Sequence, residues 1–275
     1  MSFTLQNPIK KRLKTLFKLL VILYVMIGAS LYFLQEKLLF LPTTLPQDYT
    51  YQFEYPFEEV FLNTSEAAVI NAIHFKAEHP KGVILYFHGN AGDLSRWGTI
   101  AEFFVANHYD VFIMDYRTYG KSTGALSEQA FYNDAQYCYD YLLKQYSESD
   151  ITLYGRSLGT GIATYLASKH QPKQLILETP YYSILDVAKQ RFPIFPIKPL
   201  LKYKFPSNEF IKNVECSITI FHGTDDSVVP YSSAKKLYAA VPEHDIEFIT
   251  IKNGEHNNLI DFNDYKITIE LILNN

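Results

Sequence analysis

Ser157 stands between two glycines in the run Gly155, Arg156, Ser157, Leu158, Gly159. A β-branched, aromatic stretch precedes it and an alanine-rich stretch follows. A serine at a strand-to-helix joint, with small residues two positions to either side, suits a nucleophile lifted clear of its backbone on a sharp turn. The helix beyond it would point free N–H groups and a partial positive charge at the same place. A serine hydroxyl attacks only when an imidazole accepts its proton, and the chain has eight histidines. His256, in "KNGEHNN", lies in a loop after the last strand-like run, whereas His88 ("FHGN") and His222 ("FHGT") sit at strand ends and read as hydrogen-bonded within them.

An imidazole needs an acid to fix its tautomer and stabilise its charge. "HGTDDSVVP" offers both Asp225 and Asp226, and spacing alone leaves the choice open. With either aspartate the chain order is serine, aspartate, histidine, one of the recurrent orders for acyl-transfer triads. The oxyanion of such a reaction needs preset N–H donors. The backbone N–H of Leu158 is one candidate, and that of Asn90, in the small-residue loop "HGNAGD", is the other.

These residues need a frame that gathers strand ends along one edge. "GVILYFHGN" (82–90), "YDVFIMDYRTYG" (109–120), "DITLYGRS" (150–157), "KQLILETP" (173–180), "SITIFHGTDD" (217–226) and "DIEFITIKNGEH" (245–256) are apolar runs separated by helical patterns. That alternation predicts a mostly parallel sheet covered by helices on both faces, with chemistry at the carboxyl ends of its strands. "EVFLN" (59–63) and "AVINAIHF" (68–75) read as an antiparallel pair ahead of it. Residues 181–213 break the rhythm with Pro193, Pro196, Pro199 and Pro206 alongside Phe192, Phe195, Tyr203 and Phe205. They read as a small lid over the carboxyl edge, able to line an apolar pocket.

The N-terminal segment is set apart by its charge. Residues 1–18 carry Lys10, Lys11, Arg12, Lys14 and Lys18 and no acid, and residues 19–34 carry no charge. Sixteen helical residues rise about 24 Å, and Leu16, Phe17 and a snorkelling Lys18 bring the segment close to bilayer thickness. Residues 1–35 are therefore expected to be a cytoplasmic tail and a single transmembrane anchor, since the basic flank keeps the N-terminus inside. Residues 36–57 read as a linker lying on the domain or the membrane surface, and 58–275 as an extracytoplasmic domain. A cleaved signal peptide shares the basic-then-apolar order, with "GAS" (28–30) its nearest cleavage site. A buried helix would need a polar stripe, which this one lacks.

The chain has 275 residues, 48% of them apolar and 20% charged, with a net charge of −4. That is enough for one large core and gives no nucleic-acid footprint. His and Asp fall in triad order instead of at ligand spacing, so no metal or other cofactor is expected. "GRSLGTG" lacks the lysine of a phosphate loop. Cys138 and Cys216 read as small buried side chains, and spacing cannot decide whether they pair.

"FHGNAGD", "MDYRTYGKSTG", "YGRSLGTG", "FHGTDDSVVP" and "GEHNN" together resemble the α/β-hydrolase superfamily, in its serine-aminopeptidase and prolyl-oligopeptidase-like branch. That branch includes single-pass membrane hydrolases and depalmitoylases. The resemblance covers about residues 58–275 and implies an eight-stranded α/β-hydrolase fold. It assigns the acid to Asp226, three residues after the glycine of "HG". It completes a triad with Ser157 and His256, and makes Asn90 and Leu158 the oxyanion donors. One departure is Thr118, where the family pattern has glycine. The implied activity is cleavage of an ester, thioester or amide of a small-molecule or lipid substrate through an acyl-enzyme. A serine peptidase and a catalytically silent scaffold are the alternatives, because the fold alone does not name the substrate.

Overall fold

The computed structural model describes residues 8–64, 67–241 and 245–274; part of the expected cytoplasmic tail, residues 1–7, lies outside them. Helices α1 (Pro8–Phe33) and α2 (Gln35–Leu39) precede the sheet. Its strands are β1 (Phe57–Asn63), β2 (Val69–Phe75), β3 (Val83–Phe87), β4 (Asp110–Met114), β5 (Ile151–Arg156), β6 (Gln174–Glu178), β7 (Ser217–Gly223) and β8 (Ile246–Ile251). The helices among them are α3 (Leu94–Ala106), α4 (Glu128–Leu142), α5 (Leu158–Ala167), α6 (Ile184–Arg191), α7 (Ile197–Leu200), α8 (Ser207–Phe210), α9 (Tyr231–Tyr238) and α10 (Asn263–Asn274).

The strands form one eight-stranded sheet in the order β8-β7-β6-β5-β3-β4-β2-β1. β1 and β2 pair antiparallel, as does β2 with β4, and every other neighbouring pair is parallel. Each of β3 to β6 is buried along its whole length, as a strand covered on both faces requires. One apolar layer, with Leu85, Leu153 and Ile162, fills one face, and another, with Tyr86, Tyr154 and Phe104, fills the other. Helix starts follow their side-chain caps: Asp93 accepts from the Ser95 N–H, Ser127 from Ala130 and Ser183 from Asp186. From β3 the chain crosses to β4 on one side and to β5 on the other. That reversal opens a crevice at the carboxyl ends, where ligands of open α/β sheets bind.

Three segments hold more structure than their sequence suggests. The stretch read as a linker is a strap across the carboxyl edge. Leu41–Pro42 pair in parallel with Ala91–Gly92, Thr44 bridges Gly120, and Phe40 and Tyr51 are buried. The proline-rich interval is a chain of short helices, α6 to α8, broken where prolines forbid continuation. α1 has no buried residue, and it is long and apolar enough to cross a membrane. Cys138 and Cys216 are both free, and Cys138 donates its S–H to the Met114 sulfur at 3.4 Å.

Thr118 adopts φ 73°, in the left-handed region, and its Oγ1 is buried without a hydrogen-bond partner. A β-branched residue there is strained by about 1–2 kcal/mol, which explains the glycine of the family pattern. Relief of that strain exceeds the extra unfolded-state freedom of glycine, about 0.4–1 kcal/mol. Thr118→Gly is therefore expected to raise the melting temperature by about 2–4 °C. A lowered melting point in a thermal scan would contradict this reading.

Candidate active site

Ser157 joins β5 to α5 at φ 51° and ψ −114°, a conformation that L residues rarely adopt. The neighbouring glycines make the turn possible. A Cβ on Gly159 would stand 2.0 Å from the Phe87 carbonyl oxygen of β3, and one on Gly155 2.6 Å from the Gly159 carbonyl oxygen. Strand, turn and helix are thus packed too closely for any side chain at either position. The Ser157 N–H donates to the Glu178 carbonyl at 2.9 Å, which ties the turn to β6.

The structure brings Ser157, His256 and Asp226 together. Ser157 Oγ lies 2.9 Å from His256 Nε2, and His256 Nδ1 lies 2.8 Å from Asp226 Oδ2. The second Asp226 oxygen, Oδ1, accepts the N–H groups of Val228 and Val229, both at 2.8 Å. Burial alone would raise the Asp226 carboxyl. Hydrogen bonds from His222 and His256, the His256 charge and the Val229 amide outweigh it, and the carboxyl is held well below its ordinary value. It therefore stays ionised beside the imidazole. Asp225 is exposed and takes a bond from the Thr224 hydroxyl, so it faces away.

Asn90 and Leu158 line the same cavity as Ser157. Leu158 is the first residue of α5, so its N–H has no acceptor within the helix. Both other polar handles of Asn90 are engaged. Its carbonyl accepts from the Leu41 N–H and the Tyr119 hydroxyl, and its side-chain amide donates to the Leu39 carbonyl at 3.0 Å. The strap thus fixes the loop while the Asn90 N–H has no partner among the described residues. Beneath it His88, fully buried, packs against Tyr116 with Nε2 3.3 Å from Asp115 Oδ1. It supports the loop and does not reach Ser157 Oγ, which is bonded to His256.

The supporting contacts of two residues, His222 and Arg156, are not evident in the sequence. His222 places Nε2 3.3 Å from Asp226 Oδ2 and 3.0 Å from the Val229 carbonyl, so the acid is braced by a second histidine four residues earlier. The spacing within "HGTDD" could have signalled it. Arg156 is buried, with Nε 3.2 Å from Glu178, its guanidinium over the Trp97 ring and NH2 donating to the Asn257 carbonyl at 3.2 Å. It ties the serine's strand to the loop that carries His256. Glu178 and Asn257 lie 22 and 101 residues downstream and Trp97 lies 59 residues upstream, and no local signal marks them.

The cavity above Ser157 measures about 460 Å³, within the usual range for small-molecule sites. Leu38 to Leu41 of the strap form one wall, and Ile184, Val187, Ala188 and Phe192 form another. Among the described lining residues Arg191 carries the only charge.

Comparison with known proteins identifies the family. Residues 78–210 match the family model of serine aminopeptidase, S33. L404, an alpha/beta-hydrolase-type protein of Acanthamoeba polyphaga mimivirus, is 30% identical over 86% of this chain and 90% of its own length. The chain belongs to the α/β-hydrolase superfamily. This α/β hydrolase is also 31% identical to the lysophosphatidylserine lipase ABHD12 of Danio rerio, over 66% of the chain. The chain spans about half the length of the ABHD12 relatives, 53% for Danio rerio and 47% for Gallus gallus. The Pyrococcus furiosus esterase Pf2001 shares the fold, with a TM-score of 0.67 at 17% identity over 85% of this chain and 98% of that one. As an α/β hydrolase with lipase relatives, the protein is an enzyme of the serine-hydrolase, esterase-like kind.

Proposed function

We propose that this is a membrane-anchored serine hydrolase that cleaves the carboxylic ester of a single-chain acyl lipid through an acyl-enzyme. The hydrogen-bonded line from Ser157 through His256 to Asp226, at the floor of an apolar cavity, carries this reading. Ser157 Oγ attacks the ester carbonyl as His256 Nε2 takes its proton, and Asp226 stabilises the resulting imidazolium. The carbonyl oxygen becomes an oxyanion facing the N–H groups of Asn90 and Leu158, each donor of this kind being worth about 2.7–4 kcal/mol of barrier. Collapse of the intermediate breaks the bond to the leaving alkoxide, which receives the proton from His256. Water then repeats the sequence on the acyl-enzyme, releasing the fatty acid and restoring Ser157.

Wall chemistry favours an acyl lipid over a peptide. An aminopeptidase needs an anion to hold the substrate's ammonium group, and among the described lining residues there is no carboxylate. Arg191 at the rim instead suits an anionic headgroup. The name of the ABHD12 relatives, lysophosphatidylserine lipase, is consistent with that preference. α1, with its basic N-terminal flank, supports a single span with the N-terminus in the cytoplasm and the domain on the other side.

The test is an acyl-chain series with a constant leaving group. Each methylene buried in the cavity contributes about 0.8 kcal/mol, so kcat/KM is expected to rise about fourfold per methylene until the cavity is filled. A flat series, or one that peaks at acetate, would contradict an acyl-lipid substrate.

A further inference from the structure

The lid and the membrane span touch along a continuous seam. Tyr24 of α1 stacks on Phe195 with ring centroids 4.6 Å apart and planes 7° apart, and its hydroxyl donates to the Ile194 carbonyl at 3.0 Å. One turn further along α1, a Cβ on Gly28 would meet the Phe195 ring at 3.9 Å. Above the end of α1, the Gln35 amide donates to the Leu200 carbonyl and its Oε1 accepts the Lys202 N–H, while the Tyr203 hydroxyl donates to Glu36. Tyr24 lies nine residues before Phe33, the end of α1, or about 14 Å along the axis. The lid tip therefore runs down beside the C-terminal half of the span.

The chemistry of that tip suits hydrocarbon. Residues 192–197 read "FPIFPI", with no charge, between Arg191 and Lys198. Ile194 is 74% exposed, although the domain below it is well packed. Non-helical backbone tolerates a bilayer only when its polar groups are satisfied. Here the N–H groups of Phe195 and Ile197 donate within the segment, that of Phe192 donates to the Ala188 carbonyl of α6, and Pro193 and Pro196 have none to offer. Among the N–H groups of the described tip residues only that of Ile194 is left without a partner. Arg191 and Lys198 are positioned to reach back towards the headgroups.

We infer that the 192–197 tip inserts into the leaflet that holds the C-terminal half of α1, and that the cavity over Ser157 opens sideways into that leaflet. Phe192 belongs both to the tip and to the cavity wall, and Leu38 and Leu41, both exposed, form the opposite rim a few residues beyond α1. The acyl chain of a bilayer lipid then passes into the cavity without crossing water. This rests on the anchored reading of α1, and the experiment separates the two.

Full-length protein is placed in phosphatidylcholine vesicles that contain lipids brominated at mid-chain. Trp97, the one native tryptophan, is buried and gives a constant background. Tryptophan introduced by Val25→Trp reports on α1, and by Ile194→Trp on the lid. Both are expected to be quenched. Quenching at position 25 alone would overturn the insertion and leave the anchor standing; quenching at neither would overturn both. Ile194→Asp, outside the cavity lining, is expected to lower hydrolysis of a vesicle-embedded long-chain ester about a hundredfold, the scale set by a carboxylate entering hydrocarbon. It should leave a short water-soluble ester unchanged. Equal rates with wild type on both substrates would overturn the lateral route.

Discussion

Replacing Ser157 by alanine is expected to lower kcat by roughly 10⁶-fold, the scale typical of removing a triad nucleophile. Nothing else at the site can substitute. Among the described residues His256 Nε2 has Ser157 Oγ as its side-chain partner, 2.9 Å away, and its other nitrogen is committed to Asp226. The proposed oxyanion donors would survive the change because they are backbone groups, so a residue of catalysis over water, roughly 10³–10⁴-fold, should persist. His256→Ala should cost about as much, and the double variant scarcely more, because the residues act as one unit. Alanine tolerates φ 51° no better than serine, so the fold should be unchanged. A variant that keeps a tenth of wild-type kcat would remove Ser157 from the chemistry.

Asp226→Asn is expected to lower kcat by about 10⁴-fold, for a reason specific to this site. Oδ1 is fixed as an acceptor by two backbone amides, Val228 and Val229, at 2.8 Å each. In the variant the asparagine oxygen must keep that place, which turns its NH₂ towards His256 Nδ1. That nitrogen then becomes an acceptor, the ring proton moves to Nε2, and the imidazole faces Ser157 as a donor unable to take its proton. The variant also changes acid stability. The Asp226 carboxyl is held below its ordinary value in the folded protein. Its stabilisation is therefore present above the unfolded value of about 3.9 and is lost as pH falls through the lower folded value. Denaturant midpoints should show wild type ahead of the variant near neutrality, with the gap closing below about pH 4. A gap that widens in acid would contradict the assignment of the ionised form.

The strands and the turn that carries Ser157 are legible because each element has its own local signal. β3 to β6 read as continuous apolar runs because both their faces are covered, and Gly155 and Gly159 announce a turn that no Cβ would fit. The choice between Asp225 and Asp226 was not available from spacing. It rests on which carboxylate meets the Val228 and Val229 amides, a matter of loop shape. The strap was hidden for a different reason. Its strand is two residues long, and its grip on Asn90 spans about fifty residues of sequence, so neither periodicity nor composition reveals it. Arg156 and the α1–lid seam are likewise long-range contacts, with the Tyr24–Ile194 bond closing 170 residues. Aromatic and proline content sets residues 181–213 apart, but does not show that they pack against α1.

The most direct test is labelling of full-length protein in membranes with a fluorophosphonate probe, followed by peptide mass spectrometry. The account predicts a single adduct on Ser157, blocked by prior incubation with a long-chain acyl ester and abolished in Ser157→Ala. Undiminished labelling of Ser157→Ala, or an adduct on another residue, would contradict it.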